Sequence, residues 1–154
     1  MIELAVYKEI DEIMEKYREE KTPLLSILQE IQEKWRYLPG DVLGYVSQKL
    51  DIPSSVVWGV ATFYSFLETE PVGEYVVRVC RSAPCHVNGS LDVLKTLQKE
   101  LGIKEGETSR DGRFTLETTS CLGVCGVAPA MMINDVTYGN LSEDRIREIL
   151  ALYR

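Results

Sequence analysis

Apolar positions recur in two different rhythms along the chain. In the first half they fall at three- and four-residue steps, the spacing of one face of a helix. Ile2, Val6, Ile10, Ile13, Met14 and Tyr17 form the first stripe. Leu24, Leu25, Ile27, Leu28, Ile31 and Trp35 form the second, with Thr22-Pro23 ahead of it as a cap and first-turn proline. Tyr37-Leu38-Pro39-Gly40 stops that helix, and Asp41 is placed to cap a third carrying Val42, Leu43, Val46 and Leu50. Ile52-Pro53 breaks the pattern again, and Ser54 or Ser55 can cap a fourth helix running to about Phe66. Such stripes are buried most simply in a compact helical bundle.

After Glu70-Pro71-Val72-Gly73 the rhythm changes. Tyr75-Val76-Val77-Arg78-Val79-Cys80 is short and β-rich, hence a strand. Ser90 stands as cap to a helix with Leu91, Val93, Leu94, Leu97 and Leu101 on one side and Gly102 at its end. Arg113 to Thr118 alternates like a half-buried strand, Ala130 to Asn134 is a short apolar one, and Asn134-Asp135 turns into Val136-Thr137-Tyr138. A last helix begins at Ser142, with Leu141 and Ile146 spaced for a hydrophobic staple. The order β-α-β-β-β-α predicts helices layered on a mixed sheet. The fold class is therefore α+β, with a helical bundle in residues 1–72 and an α/β domain in residues 73–154.

Composition narrows the function. The 154 residues are 45% apolar and 27% charged, which suits a folded chain. A net charge of −7 and a pI of 4.8 argue against nucleic acid as a partner, because phosphate binding needs clustered Lys and Arg. Most of the acidic excess lies in residues 1–72, where 7 Lys/Arg face 13 Asp/Glu. It forms a solvated face and can also steer a basic partner. No run of about 18 apolar residues exists, so no membrane insertion is expected. The N-terminal segment lacks the basic and apolar regions of a signal peptide, so a cytoplasmic location is expected. In a reducing compartment, cysteines serve metals or redox chemistry more often than structural disulfides.

The four cysteines all lie in the second half, as Cys80-x₄-Cys85 and Cys121-x₃-Cys125, with 35 residues between the pairs. A short loop can present both sulfurs of a pair to one metal ion. Each loop follows a strand-like segment, so adjacent strands would carry both pairs to one end of a sheet. Four soft thiolates suit zinc or an iron–sulfur cluster. Zinc knuckles favour closer spacing, and the run of three cysteines in plant-type ferredoxins is missing. The Cys-x-x-Cys pair of a thiol exchanger is missing too. Gly89, Gly123 and Gly126 let backbone N–H groups approach sulfur, Arg78 and Arg81 bring positive charge, and Val124, Val127, Ala128 and Pro129 can exclude water. Ala128-Pro129 is a candidate cis bond. His86 follows Cys85, but a Rieske-type site needs two histidines and the chain has one, so His86 belongs at the site's edge or in solvent. No Gly-rich dinucleotide fingerprint occurs.

The motif Cys80-x₄-Cys85-x₃₅-Cys121-Leu-Gly-Val-Cys125-Gly-Val-Ala-Pro-Ala-Met-Met-Ile-Asn resembles that of the thioredoxin-like [2Fe–2S] subunits of NADH:quinone oxidoreductase, respiratory complex I. It is equally similar to the matching subunits of NAD-dependent hydrogenases and formate dehydrogenases. Gly59 to Phe66 and Leu38-Pro39 share the likeness. The resemblance implies a helical region followed by a thioredoxin-like domain, with one [2Fe–2S] cluster held by Cys80, Cys85, Cys121 and Cys125. It implies an electron-transfer subunit of an NADH-oxidising oxidoreductase complex, without a complete active site of its own. FMN and NAD(H) then belong to a partner flavoprotein subunit that exchanges single electrons with the cluster, and further iron–sulfur subunits belong to the assembly. A structural zinc module and a free-standing ferredoxin are the competing readings.

Trp58, Phe63, Tyr64 and Phe66 form an aromatic group in the fourth helix. Helical spacing places most of them in the bundle core, with Tyr64 and Phe66 as the candidates for an exposed docking surface.

Overall fold

A computed structural model describes residues 4–153. Ile2, the first residue of the first apolar stripe, lies outside the described residues. The chain divides into two compact units between Pro71 and Val72.

The first unit is built of four helices: α1 (Leu4–Lys16), α2 (Leu24–Trp35), α3 (Gly40–Leu50) and α4 (Ser54–Phe63). Ile10, Ile27, Leu28, Ile31, Leu43 and Val46 are fully buried together, so the helical stripes meet as their spacing predicts. Each buried aliphatic side chain contributes roughly 1.5–3 kcal/mol relative to exposure.

The helix starts differ from the sequence expectation. Pro23, Pro39 and Pro53 occupy the N-cap positions of α2, α3 and α4, and none of these helices has a side-chain cap. Proline carbonyls take the first bonds instead, as where Leu43 N–H donates to Pro39 O at 3.0 Å. Asp41 lies inside α3 and accepts from Val42 N–H at 3.1 Å. Ser54 lies inside α4, bonded to the Ser47 hydroxyl at 2.9 Å.

α4 ends three residues before Phe66, at Phe63. The reason is tertiary. The Gln32 side-chain amide donates to Phe66 O at 2.6 Å and accepts from Glu68 N–H at 2.6 Å, drawing the segment out of the helix.

The second unit is a four-stranded mixed sheet of β1 (Tyr75–Cys80), β2 (Phe114–Thr119), β3 (Met131–Ile133) and β4 (Val136–Tyr138) in the order β2-β1-β3-β4. β1 and β2 are parallel, while β3 is antiparallel to both β1 and β4. The parallel pair requires a crossover, supplied by α5 (Ala83–Val87) and α6 (Ser90–Leu101). α7 (Glu143–Ala151) closes the chain. Val77, Leu97, Leu116, Met131, Ile133 and Ile146 fill the core between sheet and helices.

Ser142 caps α7 by accepting from Arg145 N–H, and Leu141 and Ile146 are both buried in the same cluster, as the staple predicts. Ser90 is not a cap. It is the first residue of α6, with its hydroxyl buried, and Gly89 takes the cap position at φ 93°. Leu91 is exposed, so it does not belong to the buried face of α6.

Candidate metal centre

Cys80 is the last residue of β1 and pairs in register with Thr119, the last residue of β2. Parallel pairing therefore releases both cysteine loops from the same end of the sheet. Arg81 N–H donates to Thr119 O at 3.0 Å and Cys80 N–H to Ala130 O at 3.1 Å, tying the start of the first loop to the strands on both sides.

Cys85 sits in α5, a helix that the sequence periodicity does not predict. Pro84 in the first turn of that helix is its one sequence signal. Cys121 follows β2, and Cys125 opens a short 3-10 turn, Cys125–Val127. Cys80 and Cys85 are buried, Cys121 and Cys125 are exposed, and all four are free thiols.

The sulfurs are gathered in pairs. Cys121 Sγ and Cys125 Sγ lie 3.7 Å apart. Two thiolates on one tetrahedral ion, with bonds of about 2.3 Å, stand about 3.8 Å apart, so this pair already has the spacing a shared metal demands. Cys80 and Cys85 are joined by a hydrogen bond, and Cys125 lies within reach of the charge of Cys80. Among the described residues no three His, Cys, Asp or Glu side chains close on a single point.

Backbone donors serve the sulfurs. Gly123, with φ 78°, donates its N–H to Cys121 Sγ at 3.3 Å. A side chain at that φ would strain the turn that aims the N–H. Burial pushes the Cys80 thiol up, but backbone bonds from Leu122 and Ser82 and the Cys85 thiol outweigh it and hold Cys80 below its ordinary pKa. Burial and the bond to Cys80 push Cys85 up, against a backbone bond from Ala130. The bond to Cys121 raises Cys125. The backbone donors at Cys80 thus favour negative charge on its sulfur, while burial opposes charge on Cys85. Leu122, Ser82 and Ala130 do not stand out in the sequence as sulfur partners, because backbone donors carry no residue signature.

Leu122, Val124 and Ala128 pack around Cys80, Cys85 and Ala130 as an apolar wall. Val127 is exposed and not part of that wall. The Ala128–Pro129 bond is cis. Arg78 is buried and paired with Glu117 at 3.1 Å, so its charge is engaged within the sheet. His86 is exposed on α5.

Tyr64 and Phe66 are exposed as expected. Trp58 and Phe63 depart from the core expectation: both are exposed, Phe63 by 79%. α4 buries Val57 and Ala61 instead. A helix apolar all round offers more than one face to a core, and helical period alone does not choose between them.

Among the described residues no helix is long and apolar enough to cross a membrane.

Comparison with known proteins adds the identity of this arrangement. One component of the NADH-quinone oxidoreductase of Pseudomonas aeruginosa is 39% identical over 144 residues, 94% of this chain and 87% of that protein. The HndA component of the NADP-reducing hydrogenase of Solidesulfovibrio fructosivorans is 32% identical over 148 residues, 96% of this chain and 86% of that protein. The solved NAD+-reducing [NiFe]-hydrogenase in its air-oxidized state matches 84% of this chain with a TM-score of 0.73 at 25% identity, spanning 22% of its own chain. The family model of the thioredoxin-like [2Fe-2S] ferredoxins matches residues 10–154, so spacing that left zinc open is decided for a [2Fe–2S] cluster: the chain belongs to the thioredoxin-like [2Fe-2S] ferredoxin family.

Proposed function

We propose that this chain is the electron-transfer subunit of an NADH-oxidising complex and exchanges single electrons with the FMN of an NADH-binding flavoprotein subunit. The complex is a respiratory NADH:quinone oxidoreductase or a related NAD-dependent hydrogenase or formate dehydrogenase. Further iron–sulfur subunits complete the assembly, which is cytoplasmic or peripheral at the membrane. The observation that carries this reading is the placing of two thiol pairs at one end of a sheet, in a chain similar to subunits of such complexes.

In this reading Cys80, Cys85, Cys121 and Cys125 are the four ligands, and each local pair takes one iron. When bound, the cluster supplies a centre that stores and passes on one electron at a time. The chain's residues prepare the place. N–H groups of Leu122, Ser82, Ala130 and Gly123 stabilise negative charge on the sulfurs, and such bonds raise a cluster's potential. Leu122, Val124 and Ala128 keep water from the buried pair. Cys121 and Cys125, being exposed, are the side by which electrons enter and leave.

We further assign residues 1–72 and 73–154 to separate domains, the first serving assembly and the second the cluster. Residues 52–67 carry no charge in a chain that is 27% charged. The exposed aromatic residues of that stretch suit burial against a partner subunit of the same complex.

The test is rapid mixing of the purified protein with NADH, with and without the flavoprotein subunit. We expect reduction of the visible iron–sulfur absorbance only when the flavoprotein is present. Equal reduction by NADH alone, or none with the flavoprotein, would overturn the reading.

A further inference from the structure

The second cysteine loop is held by a turn that carries no cysteine and no charge. Gly139 and Asn140 link β4 to α7. Asn140 N–H donates to Val127 O at 2.6 Å, and Leu141 N–H donates to Pro129 O at 3.3 Å. These bonds hold both sides of Ala128, shortly after Cys125.

Gly139 lies against the same loop. A Cβ at this position would stand 2.6 Å from Val127 Cβ and 2.7 Å from Val127 O, and would also strike Val127 Cγ2. Two of those atoms belong to the side chain and one to the backbone, so a methyl group forces the loop itself to move. Among the glycines of the thioredoxin-like unit, Gly123 and Gly126 meet nothing within 4 Å, so the crowding at Gly139 is not general to the site. The turn is itself anchored, because Leu141 is buried beside Ile146 of α7.

We propose that Gly139, with the N–H groups of Asn140 and Leu141, is the positioning element for Cys121 and Cys125, so that cluster retention depends on the β4–α7 turn. The inference rests on the four-cysteine reading above. Groups that orient metal ligands from outside the ligand set alter affinity by about 10–100-fold.

Two measurements test it, both on the intact holoprotein. The first compares iron per chain, the paramagnetic spectrum of the reduced protein and the rate of iron loss to a chelator in Gly139→Ala and Gly112→Ala. Gly112, at φ 70°, lies near the opposite end of β1, so its substitution strains the fold away from the cysteines. We expect Gly139→Ala to lose iron about tenfold faster with a shifted spectrum, Gly112→Ala to keep the wild-type spectrum, and Gly139→Ala with Val127→Gly to recover part of the loss. A wild-type spectrum and release rate in Gly139→Ala, or equal iron loss in Gly112→Ala, would overturn the proposal.

The second needs no substitution. Because coupling is reciprocal, removing the iron must loosen the turn. We expect amide exchange at Asn140 and Leu141 to quicken about tenfold on chelation, while Glu74 and Tyr75 at the far end of the sheet stay unchanged. Unchanged exchange at Asn140 and Leu141 would refute the brace. Wild-type protein without iron would instead refute the cluster reading on which it stands.

Discussion

Cys80 and Thr119 are register partners at the ends of two parallel strands, and both thiol loops leave the sheet from that one rung. Cys80 and Cys85 are buried, while Cys121 and Cys125 face solvent. The pairs should respond differently to substitution. A buried serine hydroxyl resists ionisation, so Cys80→Ser is expected to leave well under half the wild-type iron. Cys125→Ser, with water at hand, should retain more iron and show an altered spectrum. Iron analysis and the paramagnetic spectrum of the reduced protein check both. Full iron with an unchanged spectrum in either variant would count against ligation by that residue.

The proposed domain division has its own test. Ile31 is fully buried in the core of the helical unit. Ile31→Ala should cost about 2–5 kcal/mol in that core. We expect a lower first unfolding transition by calorimetry with the iron–sulfur spectrum unchanged. A single transition that takes the spectrum with it would contradict separate domains.

How far the sequence disclosed this arrangement depends on what holds each part. The helical stripes and the strand Tyr75–Cys80 were legible because burial repeats with the period of the backbone. That both cysteine loops leave one end of the sheet was legible too, because each follows a strand and the two strands are neighbours. The end of α4 was not, because Gln32 fixes it from across the bundle, and one side-chain amide has no periodic signature. Ser90 and Asp41 looked like caps, yet Gly89 and Pro39 precede them in the cap positions. The exposed side of Trp58 and Phe63 was also hidden, since an apolar residue reads alike whether a core or a partner covers it.

Alkaline pH should expose the aromatic contacts of the thioredoxin-like unit. Tyr153 bonds the Tyr138 hydroxyl at 2.7 Å and packs on Tyr75. The Tyr138 bond, with burial, pushes Tyr153 from 10.0 up to about 12. The unfolded tyrosine thus ionises first, so the folded state holds the extra proton between those values. This stabilisation is complete below pH 10 and disappears as pH rises through about 12. Tyr138→Phe should shrink that fall. Chemical denaturation at a series of alkaline pH values reads it, and an identical slope in both proteins would contradict the assignment.

The aromatic face predicts an assembly defect without a cluster defect. Phe63→Glu places a charge on a side chain that is 79% exposed, where the isolated fold tolerates it. Against a partner's apolar surface the same charge is desolvated without a partner, and hot-spot losses of about 2 kcal/mol or more follow. We expect the variant to keep its iron yet fail to co-purify with the flavoprotein subunit at wild-type yield. Undiminished co-purification would remove this face from the interface.

The central claim, that two thiol loops at one sheet end grip a diiron cluster, is tested most directly by analysing metal and acid-labile sulfide in anaerobically purified protein, with its spectrum after dithionite reduction. The account predicts about two irons and two sulfides per chain and a paramagnetic signal from one unpaired electron. One zinc per chain, no sulfide and no signal would contradict it.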